Sequence, residues 1–283
     1  MIKKAVIPAA GLGTRLLPIT KELPKEMLPI VAVTKNGKLC MKPMLQAIFE
    51  QLYDVHFREF AFIVGKGKRA IEDHFSPDED FIQYLEDSNR KDSAEELQDF
   101  YRKINESNVV FINQPKPKGF GDAVGRAALF TGTENFLMQA GDDLVISKNN
   151  NHLRRATETF EECEADTLFL VEEVQDPRNY GVVTGKEIKP GLLQVASIAE
   201  KPQKPQSNLA IVALYLFKPI IYKAIKEVKP DKNGEIQLAE ALQLLIKWNC
   251  KVFGLKLGSN EKRIDIGTAE SYLEMLKSTV IGK

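Results

Sequence analysis

The sequence predicts an α/β fold with a largely parallel central sheet covered by helices on both faces. Two observations carry this reading. Short apolar runs alternate with amphipathic stretches through the first half of the chain, and 43% hydrophobic with 28% charged residues over 283 positions is an ordinary globular composition. Strand and helix patterns in alternation leave each strand parallel to the next, because the helix between them returns the chain to the same sheet edge.

Residues 4–10 (KAVIPAA) form an apolar run that enters a glycine turn, which predicts a buried first strand. Pro18, Pro24 and Pro29 then exclude a helix, since proline lacks the amide donor and clashes with the preceding turn. Pro43 opens a helix whose Met44, Ala47, Ile48 and Leu52 share one face, and residues 60–65 (FAFIVG) read as the second strand. Two more strand and helix units are expected at residues 109–113 with 121–130, and at 136–140 with 152–163. Between them, residues 71–106 carry twelve acidic and four basic side chains with apolar residues at helical spacing. They predict an inserted arm made of a pair of amphipathic surface helices. The second half is richer in strands, expected at 168–174, 181–185, 193–200, 210–217 and 252–257, with helices at 238–248 and 268–276. No low-complexity linker divides the chain, so residues 1–283 are expected to form one domain.

Lys and Arg total 39 and Asp and Glu total 39, so the molecule as a whole attracts neither nucleic acid nor an acidic membrane. The longest apolar run, residues 209–217, is well short of the about 20 residues a membrane span needs. With no secretory core at the start, a cytoplasmic protein is expected. Cys40, Cys163 and Cys250 are far apart and in no CxxC spacing, which suggests neither a disulfide framework nor a zinc site. His56, His74 and His152 are scattered and are read as surface or packing residues.

Gly11-Leu12-Gly13-Thr14-Arg15 follows the first strand directly. It is not a Walker A loop, which needs Gly-Lys-Ser/Thr, nor a dinucleotide fingerprint, which needs a third glycine and a helix. What remains is a turn exposing backbone amides, with Arg15 and Lys25 on a proline-stiffened loop, an arrangement suited to a triphosphate. Residues 1–42 hold eight basic and two acidic side chains, which places an excess of positive charge beside the glycine loop. Asp142 and Asp143 follow the apolar strand at 136–140, at a sheet edge suited to a hard cation; Asp142 is the expected ligand and Asp143 the expected turn or helix cap.

The segment KAVIPAAGLGTRLLPITKELPKEMLPI resembles the signature of the sugar-1-phosphate nucleotidyltransferases, and its KELPKEMLPI half is most similar to the prokaryotic UTP:glucose-1-phosphate uridylyltransferases. The resemblance continues in order through QPKPKGFGDAV, GDDLV, NYGVV, EKP, SNLAIV, GEIQL and IDIGT. Residues 31–42 are longer than the link usual in bacterial relatives. The resemblance implies a Rossmann-like nucleotidyltransferase fold with a mixed, mostly parallel sheet, and transfer of a uridylyl group from UTP to glucose 1-phosphate with Mg²⁺ as cofactor. Two readings stand beside it: use of dTTP in the same reaction, and a non-catalytic nucleotide-sugar sensor.

By the same resemblance Arg15 and Lys25 contact the triphosphate, and Asp142 and Asp265 hold the metal. Gln114, with the backbone at Ala10, Gly11 and Gly13, recognises the nucleotide, and Gly119 lets the backbone approach the base or ribose. Gly181, Glu200, Lys201 and the backbone of Val212 meet the sugar phosphate. A glutamine amide pairs with the imide edge of uracil or thymine better than with cytosine, but does not separate UTP from dTTP. Glu235 is read as support. A homodimer or homotetramer is implied, with no nucleic-acid or membrane partner.

Overall fold

The computed structural model describes residues 2–34, 36–278 and 281. The chain begins with β1 (Lys4–Ala9), buried along its whole length, and three short 3-10 turns follow at Thr14–Leu16, Ile19–Lys21 and Lys25–Met27. Then come β2 (Pro29–Val33), β3 (Leu39–Pro43), α1 (Met44–Asp54), β4 (Glu59–Gly65), α2 (Arg69–His74), α3 (Glu79–Asp87) and α4 (Lys91–Asn105). The middle of the chain runs β5 (Asn108–Gln114), α5 (Phe120–Arg126), α6 (Ala128–Thr131), β6 (Phe136–Gln139), β7 (Asp143–Ile146) and α7 (Asn151–Glu162). The last part is β8 (Thr167–Glu173), β9 (Gly181–Lys189), β10 (Leu192–Glu200), β11 (Leu209–Phe217), α8 (Ile220–Glu227), α9 (Leu238–Lys247), β12 (Val252–Lys256), β13 (Lys262–Asp265) and α10 (Ala269–Ser278).

Nine strands form one sheet in the order β5-β4-β1-β6-β11-β8-β12-β10-β9. Its first half, β5 to β6, is parallel, as the strand and helix alternation requires. The expectation of a mostly parallel sheet fails beyond that point: β8 with β12 is parallel, but the pairings of β11 with β6, β8 and β9 and of β10 with β9 and β12 are antiparallel. Part of the reason is local. The Pro190-Gly191 turn, with Gly191 at φ 76°, joins β9 to β10 as a hairpin, and hairpin neighbours run antiparallel.

Side chains alternate across the sheet and define two cores. Ala5, Ile7, Phe60 and Phe62 face α1, α4 and α7, whereas Val6, Ala61, Phe136 and Met138 face α5, α8 and α9. The run at residues 209–217 is β11, buried at the sheet centre, and no helix among the described residues is long and apolar enough to cross a membrane. The three cysteines are free.

Residues 71–106 lie in the β4–β5 connection, where three helices form instead of a pair: Asp78 accepts from the Phe81 amide at 2.9 Å and starts α3 as a separate helix. Ile71, Phe75, Ile82, Phe100 and Ile104 belong to the first core, so their apolar faces are covered by the sheet and α1. The longer link at residues 31–42 is part of the β2–β3 hairpin, and the helix expected at 121–130 breaks at Ala127 into α5 and α6. The positive excess of residues 1–42 does not gather at the glycine loop. Lys38 pairs with Asp92, and Lys42 pairs with Glu50 and with Glu96 at 2.7 Å, so part of it neutralises the acidic helices; Lys35 lies outside the described residues.

Candidate active site

Two adjoining cavities open at the carboxyl ends of the parallel strands, where an α/β sheet presents loops that bind ligands. The first encloses about 360 Å³ and is lined by Ala10, Gly11, Gly13, Gln114 and Gly119 among others. The second encloses about 320 Å³ and is lined by Gly181, Glu200, Lys201 and Asp265. Lys25, Phe120, Asp142 and Glu235 belong to the walls of both. A wider depression of about 900 Å³ beside α7 contains none of the residues expected to act.

The glycine loop covers Lys25. A Cβ on Gly11 would sit 3.4 Å from the Lys25 Cε, and Gly13 adopts φ 64° while the Thr20 hydroxyl donates to its carbonyl at 2.7 Å. Lys25 and Asp142 form a direct ion pair, with about a fifth of each side chain exposed. Burial lowers the Lys25 pKa, but attraction to Asp142, Glu26 and Asp265 outweighs it and leaves the ammonium above the ordinary lysine value. Glu26, buried beside it, is held by Lys68 at 2.8 Å.

Asp142 and Asp265 are brought together by a pairing absent from the sequence reading. β7 and β13 run antiparallel with Asp143 opposite Asp265, and the Ile266 amide donates to the Asp142 carbonyl at 3.3 Å. Asp143 is neither turn nor cap. It opens β7, is 4% exposed, accepts from the Ala213 amide at 3.0 Å and takes both Nε and an Nη of Arg263 at 2.9 and 2.6 Å. Arg263 also donates to Glu172 at 2.8 Å and lies 5.0 Å from the Tyr180 ring centre. Burial, together with Asp143 and Asp142, pushes the Asp265 carboxyl up to about 6 against the pull of Arg263 and Lys25.

These acids fit a magnesium ion. Among the described residues no group of three or more His, Cys, Asp or Glu side chains is placed to hold a metal alone. Mg²⁺ usually takes one or two protein carboxylates and fills its octahedron with water and phosphate oxygens. Asp142 and Asp265 supply that number, and Asp143 beside them adds a third carboxylate to the same end of the β7–β13 pair.

Two expected residues, Arg15 and Gly119, stand differently from the sequence reading. Arg15 lines neither cavity: it is exposed on the turn that buries Leu16, and its guanidinium lies over Gly267, about 3.6 Å from where a Cβ there would sit, a point equally close to the Asp265 Oδ1. The Val212 side chain is fully buried, on the opposite face of β11 from Ile211 and Ala213, which line the second cavity, so a contact from Val212 to that cavity would come from its backbone. Val212 lies between Ile211 and Tyr215, where the β11 register with β8 shifts. Gly119 has φ 91°, and the close approach there is to protein: a Cβ would meet the Ile236 carbonyl oxygen at 2.8 Å. Lys201 takes φ 42°, donates its amide to the Tyr180 carbonyl at 3.0 Å, and places its ammonium 3.3 Å from Glu200. Arg263 was missed because its partner Asp143 is 120 residues away, and Asp122 because the QPKPKGFGDAV segment it shares with Gln114 does not by itself show that the two side chains meet.

The nucleotidyl transferase family model matches residues 4–280. The chain is 36% identical over 280 residues to a UTP–glucose-1-phosphate uridylyltransferase of Pseudomonas aeruginosa, covering 97% of this chain and 94% of that one. It is 38% identical over 283 residues to UTP–glucose-1-phosphate uridylyltransferase 2 of Streptococcus pyogenes serotype M1, covering 96% and 88%. A solved UDP-glucose pyrophosphorylase complexed with UDP-glucose superposes with a TM-score of 0.84 at 32% identity, covering 98% of each chain. With its glycine loop, paired acids and two joined cavities, the chain belongs to the nucleotidyl transferase family.

Proposed function

We propose that this protein transfers a uridylyl group from UTP to glucose 1-phosphate, forming UDP-glucose and pyrophosphate. The observation that carries the reading is the shared wall: Lys25 and Asp142 face both cavities, so two ligands seated side by side meet at those two residues. UTP takes the first cavity, with its base at Gln114 and its phosphates over the loop at Ala10, Gly11 and Gly13. Glucose 1-phosphate takes the second, where Glu200 accepts from sugar hydroxyls, Lys201 contacts phosphate and Gly181 leaves room.

A phosphate oxygen of the sugar attacks the α-phosphorus, the bond from that phosphorus to the oxygen bridging the β-phosphate breaks, and pyrophosphate leaves. The attacking oxygen is already anionic, so no general base is required. Two polyanions must approach, and the protein's task is alignment and charge compensation. Lys25 turns from Asp142 to the phosphates, and Arg15 closes on the departing pyrophosphate from the rim. Mg²⁺ held by Asp142 and Asp265 supplies charge neutralisation on phosphate oxygens when bound. Arg263 holds Asp143 and Asp265 at the cavity floor.

The parallel half from β5 to β6 serves as the Rossmann-like nucleotide half of one nucleotidyltransferase domain, with the β4–β5 helices as its insertion. The protein acts in the cytoplasm as a homodimer or homotetramer. The test is a mixture of protein, UTP, glucose 1-phosphate and Mg²⁺, with UDP-glucose and pyrophosphate expected in equal amounts. Tight binding of UDP-glucose without turnover in any divalent metal would replace the reading by a nucleotide-sugar sensor.

A further inference from the structure

The Gln114 amide is clamped in one orientation. Its Nε2 donates to the Asp122 carboxylate at 2.8 Å and to the Gly119 carbonyl at 3.2 Å, and the residue is 5% exposed. Both neighbours accept and neither donates, so the group facing them must be the NH₂. Turning the amide over would set its oxygen against a carboxylate and a carbonyl. Asp122 is itself fixed in the first turn of α5, where the Arg126 Nε donates to it at 3.0 Å and an Nη at 3.4 Å.

We propose that Asp122 is a positioning residue for base selection: by taking one Gln114 N–H at 2.8 Å while the Gly119 carbonyl takes the amide at 3.2 Å, it leaves Oε1 as the group that glutamine offers a base in the first cavity. A lone acceptor suits the N3–H of uracil, whereas cytosine presents a lone pair at N3 and is repelled. Without Asp122 only the longer bond to the Gly119 carbonyl would oppose turning of the amide; the charged, shorter Asp122 contact is what makes an ambivalent amide a one-way reader. Thymine carries the same N3–H, so the clamp separates UTP from CTP and leaves dTTP to other contacts.

The inference rests on the proposed seating of the base at Gln114, and the experiment separates the two. The ratio of kcat/KM for UTP to that for CTP, with glucose 1-phosphate and Mg²⁺, is measured for the wild type, Asp122→Ala, Asp122→Asn and Gln114→Ala. Calorimetric binding of UMP and CMP gives the same comparison without turnover, and thermal melting confirms that each variant is folded. Asp122→Ala should lower the UTP:CTP ratio at least tenfold. Asp122→Asn keeps an acceptor oxygen and should hold the ratio within about threefold of wild type, a rescue that a general loss of structure would not give. If Gln114→Ala collapses the ratio while Asp122→Ala leaves it within twofold of wild type, the clamp is wrong and the base seat stands. An Asp122→Asn ratio as low as that of Asp122→Ala also overturns the clamp, since charge and not the accepted hydrogen bond would then be at work. An unchanged ratio in Gln114→Ala overturns both the clamp and the base seat.

Discussion

Lys25 and Asp142 are bonded to each other at the seam between the two cavities. A cation thus neutralises a carboxylate where the walls of the two cavities meet. In the proposed mechanism each exchanges its partner when substrates and metal bind. Removing either residue leaves the other half-buried with less of its charge compensated, a cost beyond the loss of its own contact.

Asp142→Asn should lower Mg²⁺-dependent turnover by at least about a hundredfold, the usual scale for losing one electrostatic contact at a transition state. The amide removes the largest of the three carboxylate attractions on the Lys25 ammonium, leaving those of Glu26 and Asp265, so stability should also drop, by about 1–2 kcal/mol. Pyrophosphate release and urea unfolding measure the two effects. Near-normal turnover in Mg²⁺ would rule out Asp142 as a metal ligand.

Asp265→Asn should separate stability from activity. The folded-state pKa of about 6 lies above the ordinary aspartate value of 3.8, so the ionised form opposes folding above pH 6, and this penalty disappears as the pH falls toward 4. The neutral variant should gain on the order of 1 kcal/mol at pH 8, part of the full shift being offset by lost attraction to Arg263, and should match the wild type near pH 4. Its turnover should fall at every pH. Melting curves across that range test the crossover, and equal stability at pH 8 would contradict it.

His152 sets part of the acid limit of the fold. It is fully buried, its Nδ1 meets the Ser147 hydroxyl at 2.7 Å, and its buried Nε2 has no hydrogen-bond partner among the described residues. Burial pulls its pKa down from 6.5 to about 4. A depressed folded-state value means that its contribution is complete above pH 6.5 and is lost as pH falls toward 4, by up to about 3 kcal/mol. His152→Phe should flatten the stability curve over that interval, and a slope equal to that of the wild type would remove His152 from the account.

Gly119→Ala should fail on two grounds, the positive φ and the 2.8 Å approach of the Ile236 carbonyl oxygen to the new Cβ. A loss of about 2–3 kcal/mol is expected. Because the Gly119 carbonyl accepts from Gln114, the KM for UTP should rise more than that for glucose 1-phosphate. A UTP KM that stays at the wild-type value would show that this loop does not support the base seat.

The readable part of the fold was the local part. β1, β4, β6 and β11 announce themselves as apolar runs, and α1 and α7 by their spacing, because those signals lie within a few residues. β7 and β13 have four residues each and pair across more than a hundred positions, so neither shows a pattern of its own. The same distance hid Arg263, whose partner Asp143 is 120 residues away. The hairpin of β2 and β3 was obscured because Leu39 and Met41 are exposed on β3, and half-exposed strands look like loop. Of the site, the glycine loop, Lys25, Asp142 and the EKP turn were legible as motifs. That Lys25 and Asp142 touch, and that Gln114 faces one way, depends on tertiary packing.

The central claim is tested most directly by kcat/KM for UTP, dTTP, CTP and ATP with glucose 1-phosphate in Mg²⁺, followed by pyrophosphate release. The account predicts UTP first, with CTP and ATP at least about a hundredfold lower. A preference of more than about tenfold for dTTP, equal to 1.4 kcal/mol, would contradict the uridylyl assignment.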